Sequence, residues 1–320
     1  MYPLEDHYGR TFKTLRISLT NTCNLGCVYC IQDGEERKEI SAGNTPLSLD
    51  QLVQVVTELK SVLSLDTIRL TGGEPTLYRD LIPLIKALHN LGISNIKMTT
   101  NGYLLAGMAA DLAACGLKEV NISLDAVDAD VFYAVSRRRD LQRVLNAVES
   151  CTLAGITVKL NAVIMKGIND SQILPLLKYA AQQKITLRFL ELMKMGYYFS
   201  HEFERYFYSE ENILNVIASH FSYKKELRMR GATANYWVTE EGYRFGIIAN
   251  ESSPFCGDCN RLRLDSGGNI FGCLSQNTGV PVFDALGNKE EMFERLKIAL
   301  SQKQATRFIG SALQMMEIGG

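Results

Sequence analysis

The chain has 320 residues, a net charge of −1, 46% hydrophobic and 22% charged residues, a profile typical of a soluble globular protein. The near-neutral charge provides no global field that would attract nucleic acid or a membrane surface. The N-terminus lacks the basic and apolar regions of a signal peptide. No apolar run reaches the ~18 residues needed for a membrane span. We therefore expect a cytoplasmic protein that binds neither nucleic acid nor membrane.

Strand and helix patterns alternate along residues 1–192. The predicted strands are 15–20, 67–71, 96–99, 120–124, 156–164 and 185–192. Helical spacing of apolar residues separates them, at 49–63, 80–91, 104–115, 141–154 and 173–182. This alternation predicts parallel βαβ units. The fold class is α/β, with a partial (βα)6 TIM-like barrel as the first choice and an open doubly wound sheet as the alternative.

The alternation ends after residue 192. Residues 193–320 contain short strand-like runs between 226 and 264 and helical patterns at 211–221 and 289–301, with 306–316 as a further helix candidate. No linker rich in Pro, Gly or Ser separates this part from the first. We predict a barrel domain at 1–192 and, at 193–320, an α+β extension that packs on it.

Six of the eight cysteines fall into two groups of three. The first group, Cys23, Cys27 and Cys30, follows the first strand with the spacing C-x-x-x-C-x-x-C. Clustered cysteines in a reducing compartment favour a metal site. Three thiolates are one too few for a closed four-coordinate site or a fully ligated cubane cluster. They leave one iron of a cluster open for another ligand. The alternative is structural zinc with a fourth ligand elsewhere.

Polar residues stand at nearly every predicted strand end, where active sites of parallel α/β folds gather. The second strand ends in Thr71-Gly72-Gly73-Glu74-Pro75. Paired glycines allow the backbone to approach a ligand closely, and the adjacent carboxylate could hold an ammonium group. A tight turn without a ligand is the alternative reading.

Together these motifs resemble the radical S-adenosylmethionine (SAM) superfamily. The resemblance implies that the first three cysteines hold a [4Fe–4S] cluster whose open iron is chelated by SAM. Reductive cleavage of SAM then yields a 5′-deoxyadenosyl radical that abstracts hydrogen from a substrate. It also implies a set of SAM contacts: Tyr29, Gly73, Glu74, Ser123, Asn161 and Met193.

The second cysteine group is Cys256, Cys259 and Cys273, spaced C-x-x-C, thirteen residues, C. A second open iron or an incomplete zinc ribbon would both fit this set. Arg261 and Arg263 are two residues apart, so on an extended segment they point to one side. Such a pair suits a phosphate or carboxylate. Arginines on the surface, paired to nearby carboxylates, are the alternative.

The second element resembles the GTP 3′,8-cyclase family of molybdenum cofactor biosynthesis, and the similarity spans nearly the whole chain. It implies that a second [4Fe–4S] cluster coordinates guanine and that the radical joins C3′ of GTP to C8. The implied GTP contacts are Arg16, Arg69, Thr99, Lys159, Arg261 and Arg263. The tail Gly319-Gly320 reaches into the active site in that family, whereas a frayed terminus is the alternative reading.

The same resemblance implies partners. These are GTP, an electron donor and a downstream enzyme that forms cyclic pyranopterin monophosphate, and the sequence leaves a homodimer open. The chain departs from the family at Asn21-Thr22, Ile31-Gln32 and Thr67. These positions flank the implied SAM and substrate sites. Two alternatives therefore stand beside the cyclase: a paralogous radical enzyme with two clusters and another substrate, and a zinc protein without catalytic activity.

Overall fold

The computed structural model describes residues 4–31 and 46–319, so Gln32 and Gly320 lie outside the described residues. Within these ranges the strands form one mixed sheet. They are β1 (Thr14–Ser18), β2 (Thr67–Thr71), β3 (Asn95–Thr100), β4 (Leu117–Ser123), β5 (Thr157–Ile164), β6 (Thr186–Glu191), β7 (Tyr223–Lys225), β8 (Asn235–Thr239), β9 (Arg244–Ile248), β10 (Arg261–Leu264), β11 (Asn269–Phe271) and β12 (Val280–Pro281).

The order across the sheet is β12-β11-β10-β1-β2-β3-β4-β5-β6-β9-β8-β7. The six predicted strands are present and parallel, and two more parallel strands extend them: β10 pairs with β1 and β9 pairs with β6. Antiparallel strands then finish both ends. Residues after 193 therefore complete the same sheet as the first part. The division at residue 192 stays a prediction.

The helices begin and end close to the predicted positions for most of the chain. They are α1 (Leu49–Val62), α2 (Leu81–Asn90), α3 (Ala109–Ala114), α4 (Ala129–Ser136), α5 (Leu141–Leu153), α6 (Ile173–Gln182), α7 (Phe203–Tyr206), α8 (Glu210–Ala218), α9 (Lys289–Ser301) and α10 (Met315–Ile318). Ser48 and Gln51 form the capping box at the start of α1. None of the helices in the described ranges is long and apolar enough to cross a membrane.

The two faces of the sheet differ in chemistry. In β3 and β5 buried side chains alternate with partly exposed ones, the period of two expected of a strand. The apolar set packs against the helices and forms the main core. The polar set of β1 to β6 and β10 lines one cavity, together with residues 230–234 before β8. The sheet therefore curves around this space, the lumen, as expected of a partial barrel.

An ion pair and hydrogen bonds connect opposite ends of the curved sheet. Arg228, between β7 and β8, pairs with Asp258, which lies just before β10, at 2.7 Å. Nearby, a guanidinium N–H of Arg261 donates to the carbonyl oxygen of Gly231 at 3.0 Å. These contacts hold the segment before β8 against the second cysteine group.

Two predictions need correction. Residues 306–316 are not one helix, because Gly310 has a φ of +88° and Ser311 donates its amide to Lys194. Only α10 remains helical there. The predicted pattern also lacks α4, a helix capped by the side chain of Asp128.

Candidate active site

Two adjoining cavities open at the C-terminal ends of the parallel strands and in the lumen below them. The first has a volume of about 210 Å³ and the second, in the lumen, about 480 Å³. They share five lining residues: Thr99, Asn161, Leu190, Met193 and Met315. A molecule in one cavity would therefore lie next to a molecule in the other.

The first cysteine group lines the first cavity, and α4 holds its loop in place. The amides of Gly26 and Val28 donate to the carbonyl oxygens of Ser136 and Val135 at 3.1 and 3.0 Å. All three thiols, Cys23, Cys27 and Cys30, face the cavity. Burial raises the pKa of Cys30 to about 12, and the neighbouring Cys23 adds to this shift. A positively charged metal centre would counter that effect by stabilising the thiolates.

Five of the six predicted SAM contacts line the first cavity: Tyr29, Gly73, Ser123, Asn161 and Met193. Tyr29 is fixed by Asp125, whose carboxylate accepts its hydroxyl at 2.8 Å and the amide of Val163 at 2.8 Å. Burial raises the pKa of Asp125 to about 6. The shared carboxylate thus links the cysteine loop to β5.

Glu74 is placed differently from the other predicted SAM contacts. Its side chain is fully buried and is absent from the described lining of the first cavity. The carboxylate accepts the hydroxyls of Thr76 and Thr100 at 2.6 Å each and the amide of Asn101 at 2.7 Å. The side-chain amide of Asn101 in turn lies 3.6 Å from the sulfur of Cys23. In this arrangement Glu74 fixes the ends of β2 and β3 beside the cysteine loop.

The second cysteine group faces the lumen. Cys256, Cys259 and Cys273 all line it. Two distant cations hold this group: Arg10 donates to the carbonyl oxygen of Cys256 at 2.6 Å, and the Lys303 ammonium lies 3.5 Å from the sulfur of Cys259. Burial raises the pKa of the Cys259 thiol, but Arg261 and Lys303 outweigh burial and lower the pKa to about 6.

The lumen is strongly cationic. The five predicted cations all line it, namely Arg16, Arg69, Lys159, Arg261 and Arg263, and so does the predicted Thr99. Four further cations join them: Lys97, Arg188, Arg230 and Lys303. Among the described lining residues, the only carboxylate is Glu119. Such an excess of positive charge in a partly desolvated space requires an anionic partner.

Two arginines carry nitrogens that are ready for a ligand. Within the described residues, Nε of Arg16 and one terminal nitrogen of Arg188 are buried without a hydrogen-bond partner. Desolvation lowers the pKa of Arg16, and repulsion from Arg263 and Arg261 lowers it further. An anion that accepts these N–H groups would relieve both the desolvation and the repulsion.

The C-terminal tail contacts β1, β2 and β10, and its residues Met315 and Met316 line the first cavity. The hydroxyl of Ser18 donates to the carbonyl oxygen of Met316 at 3.4 Å, and Arg263 donates to that of Ile318 at 3.5 Å. Gly319 has a φ of +72°, and a Cβ on it would lie 2.3 Å from the hydroxyl of Thr71. This close approach requires glycine.

The comparison with known proteins agrees with this geometry. Residues 17–180 match the Radical SAM superfamily, and residues 185–309 match the family described as Molybdenum Cofactor Synthesis C. A GTP 3′,8-cyclase of Synechocystis sp. is 35% identical over 319 residues, covering 99% of this chain and 95% of the relative. Another, of Campylobacter lari, is 37% identical, covering 90% and 88%. This chain belongs to the GTP 3′,8-cyclase family.

The fold is shared beyond GTP 3′,8-cyclases. A crystal structure of Streptococcus suis SuiB bound to precursor peptide SuiA superposes with a TM-score of 0.66. The match covers 92% of this chain and 67% of SuiB at 18% identity. The shared fold agrees with the α/β partial barrel predicted from the strand pattern.

The thiols fit the iron–sulfur clusters that membership of the GTP 3′,8-cyclase family implies. Residues 4–31 and 46–319 contain no group of three His, Cys, Asp or Glu side chains arranged to hold a single metal ion. A [4Fe–4S] cluster takes its thiolates at separate irons, and the three thiols of each group line one cavity, which suits such a cluster. The alternative of a zinc protein without activity does not agree with membership of this enzyme family.

The sequence analysis did not predict several of the residues that line the lumen. Lys97 and Glu119 could have been found, because Lys97 lies two residues before the predicted Thr99 in β3 and Glu119 lies four residues before the predicted Ser123 in β4. Residues an even number of positions apart in one strand lie on the same face of the sheet. Lys303 gave no such signal, since it follows α9 in a segment without regular structure.

Proposed function

We propose that this protein is a radical SAM GTP 3′,8-cyclase that converts GTP to the (8S)-3′,8-cyclo-7,8-dihydro form of the nucleotide in molybdenum cofactor biosynthesis. The observation that carries this assignment is the lumen, where nine cations face one carboxylate beside a thiol-lined cavity. A nucleoside triphosphate has the charge and the size to occupy this space. The cofactors are two [4Fe–4S] clusters and SAM.

The first cavity is proposed to bind SAM. Cys23, Cys27 and Cys30 would hold the N-terminal cluster, which would supply the electron for reductive cleavage of SAM. Gly73 presents backbone without a side chain: a Cβ there would lie 2.3 Å from the carbonyl oxygen of Thr22. Tyr29 is held by Asp125 at the same wall. These residues bind and orient SAM and exclude water from it.

The lumen is proposed to bind GTP. Arg16, Arg69, Lys159, Arg261 and Arg263 hold the triphosphate through charge-assisted hydrogen bonds, with Thr99 at the border of the two cavities. Cys256, Cys259 and Cys273 would hold the second cluster, which would provide the binding site for guanine. This placement puts the ribose near the residues that both cavities share. The two molecules would then be neighbours without a large rearrangement of either cavity.

The partners and the location follow from this assignment. We propose a one-electron donor for the N-terminal cluster and a downstream enzyme that takes the cyclised nucleotide to cyclic pyranopterin monophosphate. The thiol-rich site favours the cytoplasm, where disulfides are rare. A homodimer stays an expectation. Gly319 is proposed to complete the active site together with Gly320.

The test uses the full chain, purified without oxygen and reconstituted with iron and sulfide. Two clusters correspond to about eight irons per chain. Incubation with SAM, reductant and GTP should release 5′-deoxyadenosine and the cyclised triphosphate in step, as measured by liquid chromatography and mass spectrometry. Zinc without iron, or no product from GTP, would overturn the assignment.

The paralogous enzyme with another substrate is separated from the cyclase by the same assay. ATP, CTP and UTP are offered in place of GTP, each at the same concentration. A cyclase should form 5′-deoxyadenosine at least tenfold faster with GTP than with the other three. Faster formation of 5′-deoxyadenosine with ATP, CTP or UTP would favour the paralogous enzyme. The family departures at Asn21, Thr22, Ile31 and Thr67 would then be explained by a different substrate.

A further inference from the structure

Lys303 is a buried lumen cation to which the proposed function gives no individual role. Only 5% of its surface is exposed. Its ammonium donates to the carbonyl oxygens of Gly272 and Arg261 at 2.7 and 2.9 Å and lies 3.5 Å from the sulfur of Cys259. The ring of Phe12 covers it with the centroid at 5.0 Å. All three ammonium donors therefore have partners.

None of the ion pairs among the described residues joins Lys303 to a carboxylate. A buried ammonium without an anion is strongly unfavourable. The Cys259 sulfur lies within hydrogen-bond distance of the Lys303 ammonium and becomes an anion when it is a thiolate. The lysine and the thiolate therefore stabilise each other, and either one alone would be poorly placed in this position.

The contacts of Lys303 also join separate parts of the second cysteine group. Arg261 starts β10 two residues after Cys259, whereas Gly272 directly precedes Cys273. One ammonium thus ties both segments together at the back of the site. The fit at Gly272 is close, because a Cβ there would lie 1.8 Å from the carbonyl oxygen of Ala299 at the end of α9. The backbone of this segment is pressed against the helix that leads to Lys303.

We propose that Lys303 is a positioning residue of the C-terminal iron–sulfur site: it donates a charge-assisted hydrogen bond to the Cys259 thiolate and holds the Cys259 and Cys273 segments in register. This inference rests on the proposed function, since it requires a cluster at the second cysteine group. A cation at a cluster thiolate makes reduction of the cluster easier, because added negative charge is then better stabilised. Lys303 should therefore increase the amount of cluster bound at the second site and raise its reduction potential.

The experiment isolates the second site. In the full chain, Cys23, Cys27 and Cys30 are all changed to Ala, so that about four irons per chain remain. Lys303→Gln and Lys303→Arg are made in this background. Lys297→Gln is the control, since Lys297 is half exposed on α9 and pairs with Glu294 at 2.8 Å. Iron and sulfide content, electron paramagnetic resonance spectra and potentiometric titration are recorded for each protein.

We expect Lys303→Gln to lose at least half of the remaining iron and to titrate at a more negative potential, with an altered resonance spectrum. Lys303→Arg should recover the iron, because the charge is kept, but with a shifted spectrum, because the guanidinium is shaped differently. Lys297→Gln should match the background in all three readouts. Wild-type iron content, potential and spectrum in Lys303→Gln would overturn the proposal.

If Lys303→Gln fails to fold, Lys303→Arg decides the matter: an unchanged spectrum and an unchanged potential there would equally contradict the role. Failure of this inference differs from failure of the proposed function. The function fails if the unaltered chain binds no iron or does not cyclise GTP. The inference alone fails if the unaltered chain does both and the Lys303 variants are indistinguishable from the background.

Discussion

Glu119→Gln tests whether the charges in the lumen are organised around a single carboxylate. Glu119 lies 2.8 Å from Arg69, 2.5 Å from Lys159 and 3.4 Å from Lys97, and its side chain is 10% exposed. Burial raises the pKa of Glu119, but hydrogen bonds from Lys159 and Arg69 outweigh it and lower the pKa to about 2. Glutamine keeps the size and removes the charge.

The loss of stability caused by Glu119→Gln follows from the lowered pKa of Glu119. Taking 4.5 for the unfolded chain, the lowering to about 2 corresponds to a loss of about 3 kcal/mol in unfolding free energy at neutral pH. Removal of one partner from a buried ion pair costs a similar ~3–5 kcal/mol. For a chain of this length the expected decrease in Tm is about 5 °C.

The pH dependence of this contribution has a definite sign. Because the folded-state pKa is lowered, the stabilisation is present above pH 4.5 and is lost as the pH falls towards about 2. The difference between wild type and Glu119→Gln should therefore shrink in acid. Inorganic triphosphate should raise the Tm of the variant more than that of the wild type, because the variant leaves three cations unbalanced.

Thermal melts of wild type, Glu119→Gln and a control measure all of this. The control is Glu226→Gln, since Glu226 pairs with Arg244 at a partly exposed position and should contribute less than about 1 kcal/mol. A Tm for Glu119→Gln within about 1 °C of the wild type would refute the reasoning. So would a triphosphate-induced shift no larger than that of the wild type.

Three further substitutions test the two cavities and the second cysteine group. Arg261→Ala should weaken GTP binding about 10- to 100-fold, the loss of one charge-assisted contact, and leave SAM binding unchanged in calorimetry; equal losses for both ligands would contradict a phosphate role. Glu74→Gln should lower stability by about 2 kcal/mol and weaken SAM binding, because its amide would face the amide of Asn101; a variant that binds SAM normally would show that the carboxylate does not hold this wall. Cys256→Ala should reduce iron to about four per chain while SAM cleavage continues, and loss of both would mean that the two thiol groups are not independent.

Local patterns were sufficient for the first part of the fold. The capping box at Ser48 and Gln51 and the matching bounds of β2, α6 and α9 show propensity and tertiary structure in agreement. The helix α4 was missed because it is only eight residues long. The residue that follows it, Arg137, has a φ of +56°, a conformation that non-glycine residues rarely adopt. A helix end without glycine leaves no mark in the sequence.

The last part of the fold depends on contacts between distant segments. Arg16 pairs in register with Arg263, and nothing near either residue indicates that β10 lies beside β1. The pairing of β9 with β6 is equally non-local. Residues 306–314 have helical spacing but are held by Lys194 and Asn277 instead. In the last of these segments, hydrogen bonds to distant residues replace the helix that the local pattern predicts.

The pairing of Arg16 with Arg263 also explains how the lumen gains its charge. The register of β1 sets Arg16 between Arg69 on β2 and Arg263 on β10. Three guanidiniums in one row across adjacent strands repel each other, and desolvation adds to the cost. The packing of apolar side chains on the other face fixes the register, so the row cannot move apart without moving the core. The fold thus holds the cations together at a cost in stability that a bound triphosphate would offset, which couples GTP binding directly to the stability of the barrel.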